Sequence, residues 1–187
     1  MKNIIKSTAL LLCSLAFLTA CDDDRDNNPT IQTPTTFVLN TPSYAQANVD
    51  LATSESLAFS WSQPDYGFPA LASYQIQVSP TNRWTKDIQA GEKDATDQAV
   101  GDYKTFDTEF SLVKGSVAAN EMAKALQEIV RYEPNNVPAS QDVYVRVRAA
   151  YAGDTIYSNA VQIKVLPYYM KLKDAAIDVW YLIGGCL

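Results

Sequence analysis

The sequence predicts a mainly β fold, an antiparallel two-sheet sandwich with one helix inserted before its last two strands. Three observations carry this prediction. Short runs alternate apolar and polar residues, proline and glycine fall between the runs, and the apolar period changes once, to that of a helix. Seven or so such strands in about 130 residues suit two packed antiparallel layers.

The elements follow in order. "TFVLN" (36–40) is the first candidate strand, closed by Pro42. "SLAFSWS" (56–62) sets Leu57, Phe59 and Trp61 on one face against Ala58 and Ser60 on the other. "QPDYGFPA" breaks the pattern with Pro64, Gly67 and Pro69. "SYQIQVS" (73–79) resumes it, with Tyr74, Ile76 and Val78 inward and Gln75 and Gln77 outward. Residues 80–104 are polar and aperiodic, which predicts a long loop or a ragged edge strand. "TEFSLV" (108–113) offers Phe110 and Leu112 as a short strand.

After Gly115 the apolar spacing becomes i, i+4, i+7 and i+8 through Met122, Leu126, Ile129 and Val130, one face of a three-turn helix. Ser116 or Asn120 can cap it, and Pro134 ends it. "DVYVRVRAA" (142–150) alternates Val143, Val145, Val147 and Ala149 with Tyr144, Arg146 and Arg148. "AVQIKVL" (160–166) does the same with Val161, Ile163 and Val165, and the Gly153-Asp154 turn signal lies between the two runs.

The amino end is of another kind. Lys2 and Lys6 precede an apolar stretch of only about ten residues, too short to span a bilayer, which reads as a secretory signal. Its end, Leu18-Thr19-Ala20-Cys21, resembles the lipobox of bacterial lipoproteins. That resemblance implies lipidation at Cys21, which becomes the first mature residue. Residues 1–20 are then the signal peptide and residues 21–36 a tether. Asp22, Asp23, Asp24 and Asp26 stand directly behind the cysteine, where clustered like charges stay solvated and extended. A calcium loop starting at Asp22 fails, since Asn27 holds the sixth position, which needs Gly, and Thr33 the twelfth, which needs Glu. "TIQTPTT" (30–36) stiffens the tether, and the sandwich is expected over residues 37–168.

Composition excludes several functions. Without residues 1–20 the chain has thirteen basic against twenty-one acidic side chains, a net charge of −8, so nucleic acid is not an expected partner. The chain has no histidine, which removes Ser-His-Asp and Cys-His nucleophiles and His-containing metal sites together. Glycoside hydrolysis needs two carboxylates about 5 to 9 Å apart across a cleft. The acids here lie mostly in loops and in the tether, with no motif to position a pair. No catalytic residue, metal or cofactor is therefore expected. Past the signal only Cys21 and Cys186 remain, so packing and not a disulfide must hold the core. The thiol of Cys186 is open to an intermolecular disulfide, or marks an early stop or frame change in the coding sequence.

Two stretches resemble a fibronectin type III domain, a member of the immunoglobulin-like sandwiches. "SLAFSWSQPDYGFPALASYQIQVS" resembles its B and C strands, with a Trp late in B and a Tyr opening C, and "VYVRVRAAYAGDTIYSNAVQIKV" resembles F and G. Val143 stands where that family usually has a Tyr, so its tyrosine-corner hydrogen bond is in doubt. The helix of residues 118–131 falls where the turn between E and F is normally short. Together with the lipobox, the acids behind it and "LPYYMKLKDAAIDVWYLIGG" afterwards, this order resembles SusE/SusF-type outer-membrane lipoproteins of starch-utilisation systems.

The resemblance implies a non-catalytic protein, lipid-anchored in the outer membrane and facing the cell exterior, with the four aspartates as a surface-export signal. It implies as partners a porin-type transporter and the companion lipoproteins of a glycan-uptake complex. The sandwich is then a membrane-proximal spacer, and starch or another glycan is bound mainly by domains further along. Residues 169–187 are expected to be a linker and, in "DVWYLIGG" (178–185), the first strand of a truncated carbohydrate-binding domain. Two alternatives stay open: an adhesion or scaffold lipoprotein whose sandwich binds protein, and the accessory domain of a lipoprotein glycoside hydrolase.

Among individual side chains, Trp61 alternates with Leu57 and Phe59 and reads as core. Trp84, in the polar "PTNRWTKD", is a candidate glycan contact against an ordinary role in edge packing. Trp180 and Tyr181 are the other candidates, set against structural roles in an unfinished strand. Arg146 and Arg148, beside Tyr144, can meet an acidic partner or form cross-strand pairs on a solvated sheet face.

Overall fold

A computed structural model of the chain describes residues 30–88 and 101–172. Among these residues eight strands and one helix follow in the order β1 (Asn48–Asp50), β2 (Ser56–Ser60), β3 (Ser73–Ser79), β4 (Lys104–Thr105), β5 (Lys114–Ala118), α1 (Ala119–Val130), β6 (Gln141–Tyr151), β7 (Asp154–Tyr157) and β8 (Val161–Leu166). The larger sheet has the order β1-β8-β6-β3-β4, with β7 also paired to β6, and the smaller pairs β2 with β5. All pairings are antiparallel except that of β1 with β8. The fold is the mainly β, two-sheet architecture predicted.

Period-two patterning decides what the sheets enclose. Val143, Val145, Val147 and Ala149 of β6, with Ile163 and Val165 of β8 and Ile76 and Val78 of β3, are wholly buried. Leu57, Phe59 and Trp61 close over them from the smaller sheet, with the Trp61 ring 5.4 Å from Tyr74 and 6.0 Å from Phe110. Burying each such side chain contributes about 1.5 to 3 kcal/mol, so this layer supplies most of the folding drive.

Several expectations are corrected. Residues 36–40 form no strand; Leu39 bridges Trp61 at a single position. The run 108–113 is likewise a connection, with Phe110 bridging Tyr74, and the strand follows it at Lys114–Ala118. Gly115 lies within that strand, opposite Phe59, and the position is kept small because an added Cβ would sit 2.6 Å from the Phe110 ring. Gln77 does not face water: it is only 2% exposed, because side chains from other elements cover that face of β3. Three strands follow the helix and not two, since "DTIY" (154–157) returns along β6 after a two-residue turn. Ala152 and Gly153 in that turn have φ of 51° and 90°, the left-handed pair that matches strand twist.

The helix also departs in detail. Ala118 is its N-cap, with no side-chain hydrogen bond. Ser116 stays in β5, and Asn120 accepts the Glu121 N–H from inside the first turn. The helix stops before Pro134, at Arg131, whose φ of 61° is left-handed and whose N–H bonds to the Gln127 carbonyl. Met122, Ala123 and Leu126 are buried with Ala119, while Ile129 is half-buried and Val130 exposed. Val143 is a core residue, so its position offers no hydroxyl for a tyrosine corner.

The strand directions give the sandwich two poles. At one, Gln141 lies opposite Val165 near the end of β8, and α1 packs close by, its Gln127 accepting the Met170 N–H. At the other, Ala150 lies opposite Ser73, where β3 begins after the 63–72 connection. Residues 30–33, read as tether, are already docked at this second pole: the Gln32 N–H donates to the Tyr66 carbonyl at 2.9 Å. Gly67 there has φ of 86°, and a Cβ would come 3.1 Å from the Thr30 carbonyl, so glycine allows the chain to pass. Cys21, the four aspartates behind it, Trp180 and Tyr181 lie outside the described residues.

Candidate functional site

The outer face of the larger sheet gathers the chemistry that the sequence singled out. Alternation along β6 sends Tyr144, Arg146 and Arg148 outward, and the register sets Arg146 opposite Gln77 and Arg148 opposite Gln75. The pairs close: Arg146 Nε donates to Gln77 Oε1 at 2.7 Å, and Arg148 Nη1 to Gln75 Oε1 at 2.6 Å. Each glutamine passes the connection on. Gln77 Nε2 donates to Thr105 Oγ1 at 2.8 Å and Gln75 Nε2 to the Phe106 carbonyl at 3.2 Å. A polar ladder thus runs across three strands. It is the cross-strand pairing foreseen for the arginines, with the solvation reduced.

Trp84 supplies the cover. Its Nε1 donates to Asn82 Oδ1 at 2.9 Å, and the Arg146 Cζ lies 4.2 Å from its ring centre. The Tyr157 ring, on β7, is 4.1 Å from the same carbon, and Tyr103 is 5.5 Å away. Two rings that close cannot share one side of a planar group, so the guanidinium is held between Trp84 and Tyr157. Burial lowers the Arg146 pKa below its usual value, while Tyr157, Tyr103, Asp102 and Asp87 pull it back up. Burial, with Asp87 next, raises that of the Tyr103 hydroxyl.

The loop that carries Trp84 is pinned as well. Asp102 accepts the Thr85 and Lys86 N–H groups, and Asp87 accepts the Thr105 N–H at 3.0 Å. Sequence reasoning brought Arg146 and Arg148 together but left Trp84 apart, because its partner is far along the chain. A half-buried indole engaged by Arg146 and Tyr103 does the edge-packing work that was its ordinary reading.

Two further features went unread in the sequence. An open groove of about 540 Å³ lies along the outer face of the smaller sheet, floored by Ala58, Ser60 and Ser116 and walled by Phe110 and Leu112. The small residues on the polar side of β2 were its only signal. The second is the loop pole. Gln63 Nε2 donates to the Ala70 carbonyl at 3.0 Å, the Gly67 N–H to Asp65 Oδ1 at 2.8 Å, and the Tyr66 and Phe68 rings rest on Tyr151. From this ordered connection Leu71 projects with 92% of its surface exposed.

Residues 23–148 match the model of the family described as SusE outer membrane protein. No solved structure matches the chain.

Proposed function

The chain belongs to the SusE outer membrane protein family, which makes it an outer membrane component of a polysaccharide-utilisation system, and from that premise we propose that its sandwich is a non-catalytic, membrane-proximal spacer. In this reading Cys21 carries the lipid, Asp22, Asp23, Asp24 and Asp26 direct export to the cell surface, and glycan-binding domains follow the sandwich. The porin-type transporter and companion lipoproteins are its neighbours. The strand order supports a fibronectin type III-like assignment, with β2 and β5 as one sheet and β3, β6 and β8 central in the other.

One observation carries the reading: the chain enters at one pole and leaves at the other. Gln32 is fastened beside Tyr66 at the loop pole, and Met170 beside Gln127 at the helix pole. The eleven residues of β6 connect the two, roughly 35 Å at the usual strand rise. Such a block sets a fixed stand-off, and tethering keeps whatever follows at high local concentration near the transporter. The outer face of the larger sheet fits the same role. Its cation is already stacked and its amides are already paired, which stiffens the block and leaves little reach for a ligand.

The test is affinity electrophoresis of the mature chain in native gels cast with starch or other glycans. Mobility equal to that in a glycan-free gel is expected. Strong retardation would place the binding function in the sandwich itself and end the spacer reading.

A further inference from the structure

The loop pole carries a feature that a passive spacer does not need. Three connections meet there: residues 63–72 before β3, residues 106–113 before β5, and the turn at Ala152 and Gly153. Ser73 lies opposite Ala150, Phe110 bridges Tyr74, and Lys114 lies opposite Ser60 at the end of β2. Leu71 is 92% exposed, Leu112 62% and Ile31 57%, and their chain neighbours Ala70, Val113 and Gln32 are hydrogen-bonded to Gln63, Trp61 and Tyr66 at this pole. By contrast, the exposed apolar residues nearest the helix pole, Val130 and Tyr169, are 39% and 38% exposed.

The apolar tip is held in place and not merely loose. Ala70 and Ala72, on either side of Leu71, are buried, so the backbone turns Leu71 outward by construction. The hydrogen bonds from Gln63 and to Asp65 close the same connection. A pre-ordered apolar projection loses little conformational entropy when it is covered.

The length of chain ahead of the fold says what covers it. Cys21 precedes Thr30, the first described residue, by nine positions, so a segment of that length reaches at most about 30 Å. That distance is about the span of the sandwich itself. An anchor on that lead makes the loop pole, and not the helix pole, the end of the sandwich nearest the bilayer and within reach of it.

We infer that this pole is a membrane-contacting surface, in which Leu71, with Ile31 and Leu112 on the other connections of the same pole, seats at the boundary between lipid headgroups and acyl chains. The inference rests on the reading of Cys21 as the lipid anchor. Asp65, Asp107, Glu109 and Asp154 are exposed on the connections of the same pole and must stay hydrated, which limits the contact to a shallow one by the projecting side chains. A few apolar side chains bind lipid weakly by themselves. Beside a covalent anchor they act at high local concentration and fix the tilt of the sandwich.

The experiment places an environment-sensitive fluorophore at one position at a time, through Leu71→Cys, Leu112→Cys or Val130→Cys in a Cys186→Ser background. The mature, detergent-extracted chain is reconstituted into phosphatidylcholine vesicles with or without brominated acyl chains, and flotation is scored in parallel. The expected result is a blue shift and quenching at 71 and 112 several-fold greater than at 130. Equal quenching at all three positions in a chain that floats with the vesicles overturns the contact and leaves the anchor standing. A chain that fails to float overturns the anchor, and the contact with it. A blue shift at 71 that is present without vesicles and grows with protein concentration reports a second copy on this surface and overturns the lipid assignment.

Discussion

The two poles of the sandwich solve opposite problems. At the helix pole α1 plugs the space beside β2, β3 and β5 with Met122 and Leu126, and a partly buried ion pair, Lys104 Nζ to Glu128 Oε2 at 2.6 Å, ties it to β4. The Gln127 side chain is spent within the pole, its Nε2 on the Tyr132 carbonyl and its Oε1 on the Met170 N–H. At the loop pole the connections are tied by local hydrogen bonds and glycine turns, and apolar side chains are left outside. An insertion that buries its apolar face is part of the fold, whereas a loop that orders its backbone and exposes Leu71 is shaped for something beyond the fold.

The largest expected effect lies where that contrast is strongest. Leu126 is wholly buried between α1 and the sheets, so Leu126→Ala should cost about 3 to 4 kcal/mol through lost transfer energy and the cavity left behind. Urea unfolding followed by tryptophan fluorescence measures it. A loss below about 1 kcal/mol would mean that the helix is an ornament and the contrast between the poles is false.

The ion pair comes next. Both side chains are largely shielded, at 14% and 11% exposure, with Lys124 a looser second partner of Glu128 at 3.9 Å. Glu128→Ala leaves the largely shielded Lys104 ammonium without its close partner and should cost about 2 to 3 kcal/mol. Replacing both, as Lys104→Met with Glu128→Leu, should recover most of that loss, because the desolvation penalty goes with the charges. Failure of the double variant to recover would point to a geometric role for the pair in seating α1.

Legibility in the sequence divides along the same physical line. Strands β6 and β8 were readable because each buries one face against the core, and a half-buried strand must alternate. The helix was readable from Met122 and Leu126, but its ends were not: Arg131 in a left-handed conformation terminates it where Pro134 was expected to. What was missed depends on partners distant in sequence. Strand β1 has three residues and no pattern, and exists only as a parallel partner of β8. Gly115 looked like punctuation, yet it is a strand residue made small by the Phe110 ring. Gln77 looked like an outward polar residue until Arg146, Thr105 and their neighbours covered it. Trp84 was open both to a sugar and to edge packing, and its packing partner Arg146, sixty-two positions away, could not be read from the sequence. Alternation says which side of a strand is dry, but not what folds across its other side.

The smallest expected effect on stability is the most informative about the loop pole. Leu71 contributes almost no buried surface, so Leu71→Ser should leave the urea midpoint and slope unchanged within about 0.5 kcal/mol. A side chain with nothing to do should also be silent in every other measurement. If the pole rests on lipid, the same substitution should instead weaken protection of the 63–72 connection from protease in reconstituted vesicles, with no change for the chain in detergent. A variant destabilised by 2 kcal/mol or more would show that Leu71 is packed in the fold after all, and the distinction between a closed pole and an open one would go with it.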